Sequence, residues 1–112
     1  MPQNLNINFE NVKKDDPNYR WVNIEWGDAR VGKARVKKVY RKIIIKNINI
    51  FPEFERHGFA RQTVDLFKET AREIIAENVR ATARKFWERM GFHDTGDGNY
   101  RWVSHRKQVE AK

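Results

Sequence analysis

The residues best suited to chemistry lie in one run, Ile48-Asn49-Ile50-Phe51-Pro52-Glu53-Phe54-Glu55-Arg56-His57-Gly58-Phe59-Ala60-Arg61. An apolar stretch ends at Pro52, a tight turn follows, and Gly58-x-Ala60 opens an amphipathic helix. The first turn of a helix carries backbone N–H groups without intrahelical partners, at the positive end of the helix dipole. With only Gly58 and Ala60 in the way, a diphosphate can approach that backbone closely. A helix start packed against a strand shows the same Gly-x-Ala without any ligand, so the run alone leaves both readings open.

A second run, Ala83-Arg84-Lys85-Phe86-Trp87-Glu88-Arg89-Met90-Gly91-Phe92, reads as the end of a helix. The helix spans about Ala81 to Met90, buries Ala83, Phe86, Trp87 and Met90, and stops at Gly91, the residue type that tolerates a left-handed exit. A third feature is charge. Arg30, Lys33, Arg35, Lys37, Lys38, Arg41, Lys42 and Lys46 follow one another with no acid among them. Such a cluster is either the solvated outer face of a hairpin or a surface for nucleic acid or an acidic protein. Trp21, Trp26 and Tyr40 nearby would stack on bases in the second case and fill a core in the first.

Several chemistries are excluded or disfavoured. There is no cysteine, hence no disulfide, thiolate zinc site or Cys nucleophile. The three histidines, His57, His93 and His105, share no metal-ligand spacing, so no metal site is expected. No apolar window approaches the roughly 18 residues of a membrane span. The N-terminal residues lack the basic start and apolar segment of a secretory leader, and a cytoplasmic protein is the default expectation.

The elements that must position these runs follow from pattern. The 112 residues suit one domain, 1–112, with a polar tail from about Ser104. Twenty-three Lys and Arg against fifteen Asp and Glu give a net charge of +8. Ile and Val outnumber Leu 18 to 2, which favours a substantial sheet because β-branched side chains pack well on a pleated surface. Leu5, Ile7 and Phe9 alternate with polar residues as a half-buried first strand, and a loop is expected from Asn11 to Asn18. Strands follow over Tyr19 to Trp26, about Arg30 to Val39, and Ile43 to Ile50, the last apolar on both faces as a central strand requires. On strict alternation Asn47 and Asn49 share a face with Ile43 and Ile45. A helix begins near Gly58, with Ala60, Thr63, Val64, Phe67 and Ala71 inward. A short strand from about Ile74 to Asn78 comes next. Phe92 to Thr95 and Tyr100 to Val103 flank the turn Gly96 to Asn99 as a final hairpin. The fold class is α/β of the α+β kind: a mixed, mostly antiparallel central sheet of about six to seven strands with two main helices.

The two motifs, in this order and strand–helix setting, resemble the GNAT superfamily of acyl-CoA-dependent N-acyltransferases over roughly residues 19 to 103. The first looks like that family's Pro-Glu-Tyr-Arg-Gly-x-Gly-x-Gly/Ala pyrophosphate loop, and the second like its Ala-x-x-Phe/Leu-Tyr-Glu-x-x-Gly-Phe. The resemblance implies that the backbone amides of Arg56, His57, Gly58, Phe59, Ala60 and Arg61 hold the diphosphate of acetyl-CoA, with Arg61 adding a charge-assisted bond. It implies that the strand edge at Ile48, Asn49 and Ile50 pairs with pantetheine amides by strand addition. An amine acceptor, on a protein lysine, an N-terminus or a small molecule, then attacks the thioester.

Glu53 is the first candidate for the base, with His57 another and Asn47 or Asn49 holding a relaying water. The family's Tyr, often the acid for the thiolate, falls on Trp87, whose indole N–H donates a hydrogen bond but keeps its proton. The family's Arg or Gln at the loop start is Glu55 here. Family members carry one or two helices between the first two strands, and Asn11 to Asn18 are too few for two. The implied acceptor side is open, matched to a macromolecule or walled by a second subunit in a homodimer. The competing reading is a non-catalytic relative that uses the basic segment 30–46 to bind nucleic acid or an acidic protein.

Overall fold

The computed structural model describes residues 4–11 and 18–105. The chain runs β1 (Leu5–Phe9), β2 (Arg20–Trp26), β3 (Ala29–Val39), β4 (Lys42–Ile50), α1 (Phe59–Thr70), β5 (Glu73–Ala76), α2 (Arg84–Arg89), β6 (His93–Asp94) and β7 (Tyr100–Val103). One seven-stranded sheet has the order β1-β2-β3-β4-β5-β7-β6. Every neighbouring pair is antiparallel except β4 and β5, which run parallel because α1 carries the chain back between them. This is the mixed, mostly antiparallel two-helix fold expected from the pattern. The loop expected over 11–18 lies largely outside the described residues, as does the tail beyond His105. Ser104, placed at the start of that tail, is in fact buried, and its N–H donates to the Arg72 carbonyl.

Both helices lie on one face of the sheet. There α1 buries Phe59, Thr63, Val64 and Phe67 against Val22, Ile24, Val36, Ile43, Ile45 and Ile74. α2 follows on the same side: Tyr100, opposite Ala76 in the ladder, reaches Glu88 of α2 through its hydroxyl. Truncating the fully buried Phe67 to Ala costs about 3–5 kcal/mol by lost transfer energy and cavity formation. The other face carries Trp21, Asn23, Lys33, Arg35, Lys37, Ile44 and Ile75, and no described helix covers it.

Three local readings need correction. In β3 and β4 the register jumps between Arg35/Asn47 and Val36/Ile45, so Lys46 is an extra residue on β4. That bulge shifts the alternation by one place. Ile48 and Ile50 therefore turn inward with Ile43 and Ile45, while Asn47 and Asn49 are on the opposite face. β5 stops at Ala76 rather than Asn78, because Asn78 sits in the left-handed region at φ 47° and gives its N–H to the Asn99 side chain. The second helix is shorter than 81–90. With Arg80 at the cap position and no side chain to receive the first N–H groups, the chain makes a 3-10 turn over Ala81–Ala83 before α2 begins.

Candidate functional site

The end of β4 is tied down before the loop begins. Phe51 N–H donates to the Val31 carbonyl at 2.8 Å, and a 3-10 turn over Pro52–Phe54 closes with Glu55 N–H on the Pro52 carbonyl. Arg56 at φ 68° and Gly58 at φ 76° then reverse the chain into α1. The first helical bond is Gln62 N–H to the Gly58 carbonyl, so the N–H groups of Phe59, Ala60 and Arg61 point out of the helix end. No side chain caps them, and the first turn holds no acid.

These amides open onto a cavity of about 840 Å³, lined by Ile50, Phe54, Glu55, Arg56, His57, Gly58, Phe59, Ala60, Arg61, Phe86, Arg89 and Met90. Its walls come from the β4–α1 loop on one side and α2 on the other. Trp26 holds Phe59 from beneath, with ring centroids 5.3 Å apart. Lys68 fixes the α2 wall by donating to the Met90 carbonyl, and its ammonium lies 5.2 Å from the Trp102 ring. Arg56, Arg61 and Arg89 give the cavity three guanidinium groups against the single carboxylate of Glu55. Partnerless amides, a helix N-terminus and three arginines fit a polyphosphate group by both charge and hydrogen-bond sense.

A second feature begins at the same place. The parallel ladder of β4 and β5 runs from Lys42/Glu73 to Ile45/Ala76 and ends where Glu77 N–H donates to the Ile45 carbonyl. Beyond it, Lys46 is the bulged residue and Asn47 to Ile50 pair only with β3, so about 13 Å of strand edge is left without a described strand beside it. α1 packs over β4 and β5 on one face of this gap. On the other face, the Tyr19 hydroxyl donates to Glu77 Oε1 at 2.7 Å, and the Lys46 ammonium lies 5.2 Å from the Tyr19 ring. Burial, and then the Glu77 carboxylate, push the Tyr19 phenol up from 10 to about 12. It is therefore protonated throughout the neutral range.

The sequence-predicted residues separate into groups. Ile50, Arg56, His57, Gly58, Phe59, Ala60 and Arg61 share the cavity. Ile48 and Asn49 lie on the adjoining strand edge. Glu53 sits in the 3-10 turn, exposed and outside the cavity lining. Trp87 is 7% exposed and packs edge-on to Phe86 and Phe92, with ring centroids 5.0 and 4.8 Å away. Arg89, Tyr19 and Glu77 were not singled out from sequence. Arg89 follows Trp87 at a spacing that only the α2 packing turns toward the cavity, and Tyr19 meets Glu77 across 58 residues.

With this geometry in place, the comparisons are consistent with it. The model of the Acetyltransferase (GNAT) family matches residues 2–92, and the chain belongs to that family. Among solved structures it is similar to an acetyltransferase from Thermus thermophilus, at 22% identity and a TM-score of 0.67, covering 80% of this chain and 66% of that one. It is also similar to the Bacillus subtilis N-acetyltransferase YlbP in complex with coenzyme A, at 19% identity and TM-score 0.61, over 75% and 67% of the two chains. A GNAT family acetyltransferase from Elizabethkingia anophelis with acetyl-CoA bound aligns at 10% identity and TM-score 0.64, over 90% of this chain and 99% of that one. The chain thus spans just under two thirds of the Thermus protein but nearly all of the Elizabethkingia one. No curated protein sequence matches. Among the described residues no helix is long and apolar enough to cross a membrane.

Proposed function

We propose that this protein is an acetyl-CoA-dependent N-acetyltransferase acting on an amine of a macromolecule. The observation that carries the reading is the continuity of two features. A cationic cavity at the N-terminus of α1 opens at Ile50 onto the strand edge of β4 that has no described neighbour, and that edge leads to Glu77. The amides of Phe59, Ala60 and Arg61 with Arg56, Arg61 and Arg89 hold the diphosphate. The β4 edge from Ile50 toward Lys46 receives the pantetheine amides as an added strand, which brings the thioester to the gap between β4 and β5.

In the transfer, the amine nitrogen bonds to the acetyl carbon, the carbon–sulfur bond breaks, the amine loses a proton and the thiolate gains one. Glu77, at the gap, takes the amine's proton in this proposal, in place of Glu53, which lies beyond the other end of the free edge. Tyr19 takes the place of Trp87, whose ring is enclosed by Phe86 and Phe92. Tyr19 turns its one hydroxyl hydrogen from Glu77 to the departing sulfur and gives that proton to the thiolate, and the newly protonated Glu77 carboxyl returns a proton to the Tyr19 oxygen. The acceptor arrives over the sheet face that no described helix walls, which suits a polypeptide amine better than a small enclosed one.

Calorimetric titration with acetyl-CoA, with ATP and free CoA as controls, tests the cofactor half of the reading. Micromolar binding that Gly58→Glu abolishes is the expected result. Correctly folded protein that binds no acetyl-CoA sinks the enzyme reading and leaves the basic sheet face as the functional surface.

A further inference from the structure

The face of the sheet opposite the helices has a charge pattern of its own. Lys33, Arg35 and Lys37 alternate on β3 and project to that face, opposite Asn23 and Trp21 on β2 and Asn49, Asn47 and Ile44 on β4. Arg30 stands at the same strand's start opposite Glu25, and Lys42 at the far end of β4. Among the described residues no carboxylate forms an ion pair with Lys33, Lys37 or Lys42. The row on β3 repeats about every 7 Å, the spacing of alternate side chains along any extended chain laid parallel to it. It lies two strands from Glu77, on the same face as the opening between β4 and β5.

Charge calls for a polyanion there, and the aromatic residue decides which kind. Trp21 is the ring set among these cations that could act as a stacking platform, yet the Lys33 ammonium and the Arg35 guanidinium lie 5.5 and 5.2 Å from its centroid. Its π-face is taken by cations, the Tyr19 ring has the Lys46 ammonium 5.2 Å away, and among the described residues the exposed Tyr40 stands alone at the β3–β4 turn, so the row offers nucleobases no run of rings to stack on. What remains is a ladder of donors at peptide spacing, which matches carboxylates on an extended polypeptide.

We infer that Lys33, Arg35 and Lys37 dock an acidic peptide segment, and that the acceptor is a polypeptide whose target amine is flanked by Asp or Glu at alternate positions. The inference about the acceptor rests on the acetyltransferase reading; the docking surface itself does not. The acceptor's ammonium is drawn to Glu77 while its flanking carboxylates lie along β3, so the acceptor is oriented by opposite charges at the two places.

The test uses the full chain and two ten-residue peptides, each with one central lysine and blocked ends. One carries Glu and the other Gln at every second flanking position. Fluorescence anisotropy reads binding and acetyl-CoA turnover reads acetylation. The Glu peptide is expected to bind at least tenfold tighter than the Gln peptide, to lose that advantage in the K33E/K37E double variant, and to lose part of it in K33Q/K37Q. Its kcat/KM should show the same preference, while acetyl-CoA affinity by calorimetry stays unchanged in both variants. Equal binding of the two peptides, or a preference that K33E/K37E leaves intact, overturns the inference. So does a single-stranded oligonucleotide that binds the wild-type face more tightly than the Glu peptide. Selective binding of the Glu peptide without acetylation of any peptide upholds the docking surface and defeats the acetyltransferase reading instead.

Discussion

The Tyr19 hydroxyl donates a 2.7 Å hydrogen bond to Glu77 Oε1, joining the residue before β2 to the residue after β5 across the helix-free face of the sheet. The bond sets the state of the phenol, which burial first and the carboxylate next raise to about 12. Folding therefore holds the Tyr19 proton more tightly than the unfolded chain does. The sign follows by linkage: this contribution to stability is complete below pH 10 and is lost as pH rises from 10 to about 12. Denaturant midpoints measured across that window should fall, and Tyr19→Phe should flatten this part of the decline. A midpoint just as steep in Tyr19→Phe would show that other groups govern it.

Glu77 gives a kinetic prediction. Glu77→Gln retains the side-chain volume and an oxygen to accept the Tyr19 bond but cannot take a proton from the acceptor. With an amine acceptor that the wild type acetylates, kcat should drop by about 10²-fold, within the range for general bases, while acetyl-CoA affinity is unchanged. Glu53→Gln, altered in the turn outside the cavity, should leave kcat within about twofold.

The strands, the loop and both helices were readable in the sequence because each rests on a local signal. Alternation marks β1, Gly27-Asp28 turns β2 into β3, Pro52 stops β4, and Gly91 stops the second helix. What was not readable depends on register and on distant partners. A single extra residue at Lys46 reversed the faces of Asn47 and Asn49, and nothing in Ile-Ile-Ile-Lys-Asn-Ile-Asn-Ile announces a bulge. The cavity loop was legible because its chemistry is carried by consecutive backbone amides. Arg89 and the Tyr19–Glu77 pair were not, because tertiary packing alone brings them to the site.

Gly58 stands at φ 76°, and a Cβ there would meet nothing closer than Arg61 Nη2 at 3.8 Å. Conformation rather than space selects glycine, so Gly58→Ala should cost about 1–2 kcal/mol in stability. The loop can relieve that strain by rotating its amides away from the cavity. Acetyl-CoA affinity should then weaken by roughly tenfold, read by calorimetry beside a thermal melt.

Gly32 makes the opposite case. It has no left-handed φ, but a Cβ on it would run into the Asn49 carbonyl oxygen and lie 3.0 Å from Ile50 Cα. Both neighbours are backbone of the β4 segment proposed to pair with pantetheine. Gly32→Ala should therefore push β4 away from β3, destabilise by about 1–3 kcal/mol as overpacking does, and weaken acetyl-CoA binding with it. Gly96→Ala has open space and only its φ of 86° to contend with, so it should cost stability without touching affinity.

Lys68 links α1 to the wall formed by α2. Its ammonium donates to the Met90 carbonyl at the C-terminal end of α2, where helix carbonyls lack intrahelical partners, and it lies 5.9 and 5.2 Å from the Phe92 and Trp102 rings. Lys68→Met retains most of the apolar stem but removes the donor and the charge. Losing a hydrogen bond to a charged group and two ring contacts should cost about 2 kcal/mol, a drop in Tm of roughly ten degrees in a domain of this size. Because Phe86, Arg89 and Met90 line the cavity, acetyl-CoA affinity should fall too, and saturating acetyl-CoA should recover part of the lost Tm. Lys68→Arg keeps charge and donors and should restore most of both. If Lys68→Met melted like the wild type, Trp87 and Met90 packing and the Tyr100–Glu88 hydrogen bond would suffice to hold the α2 wall.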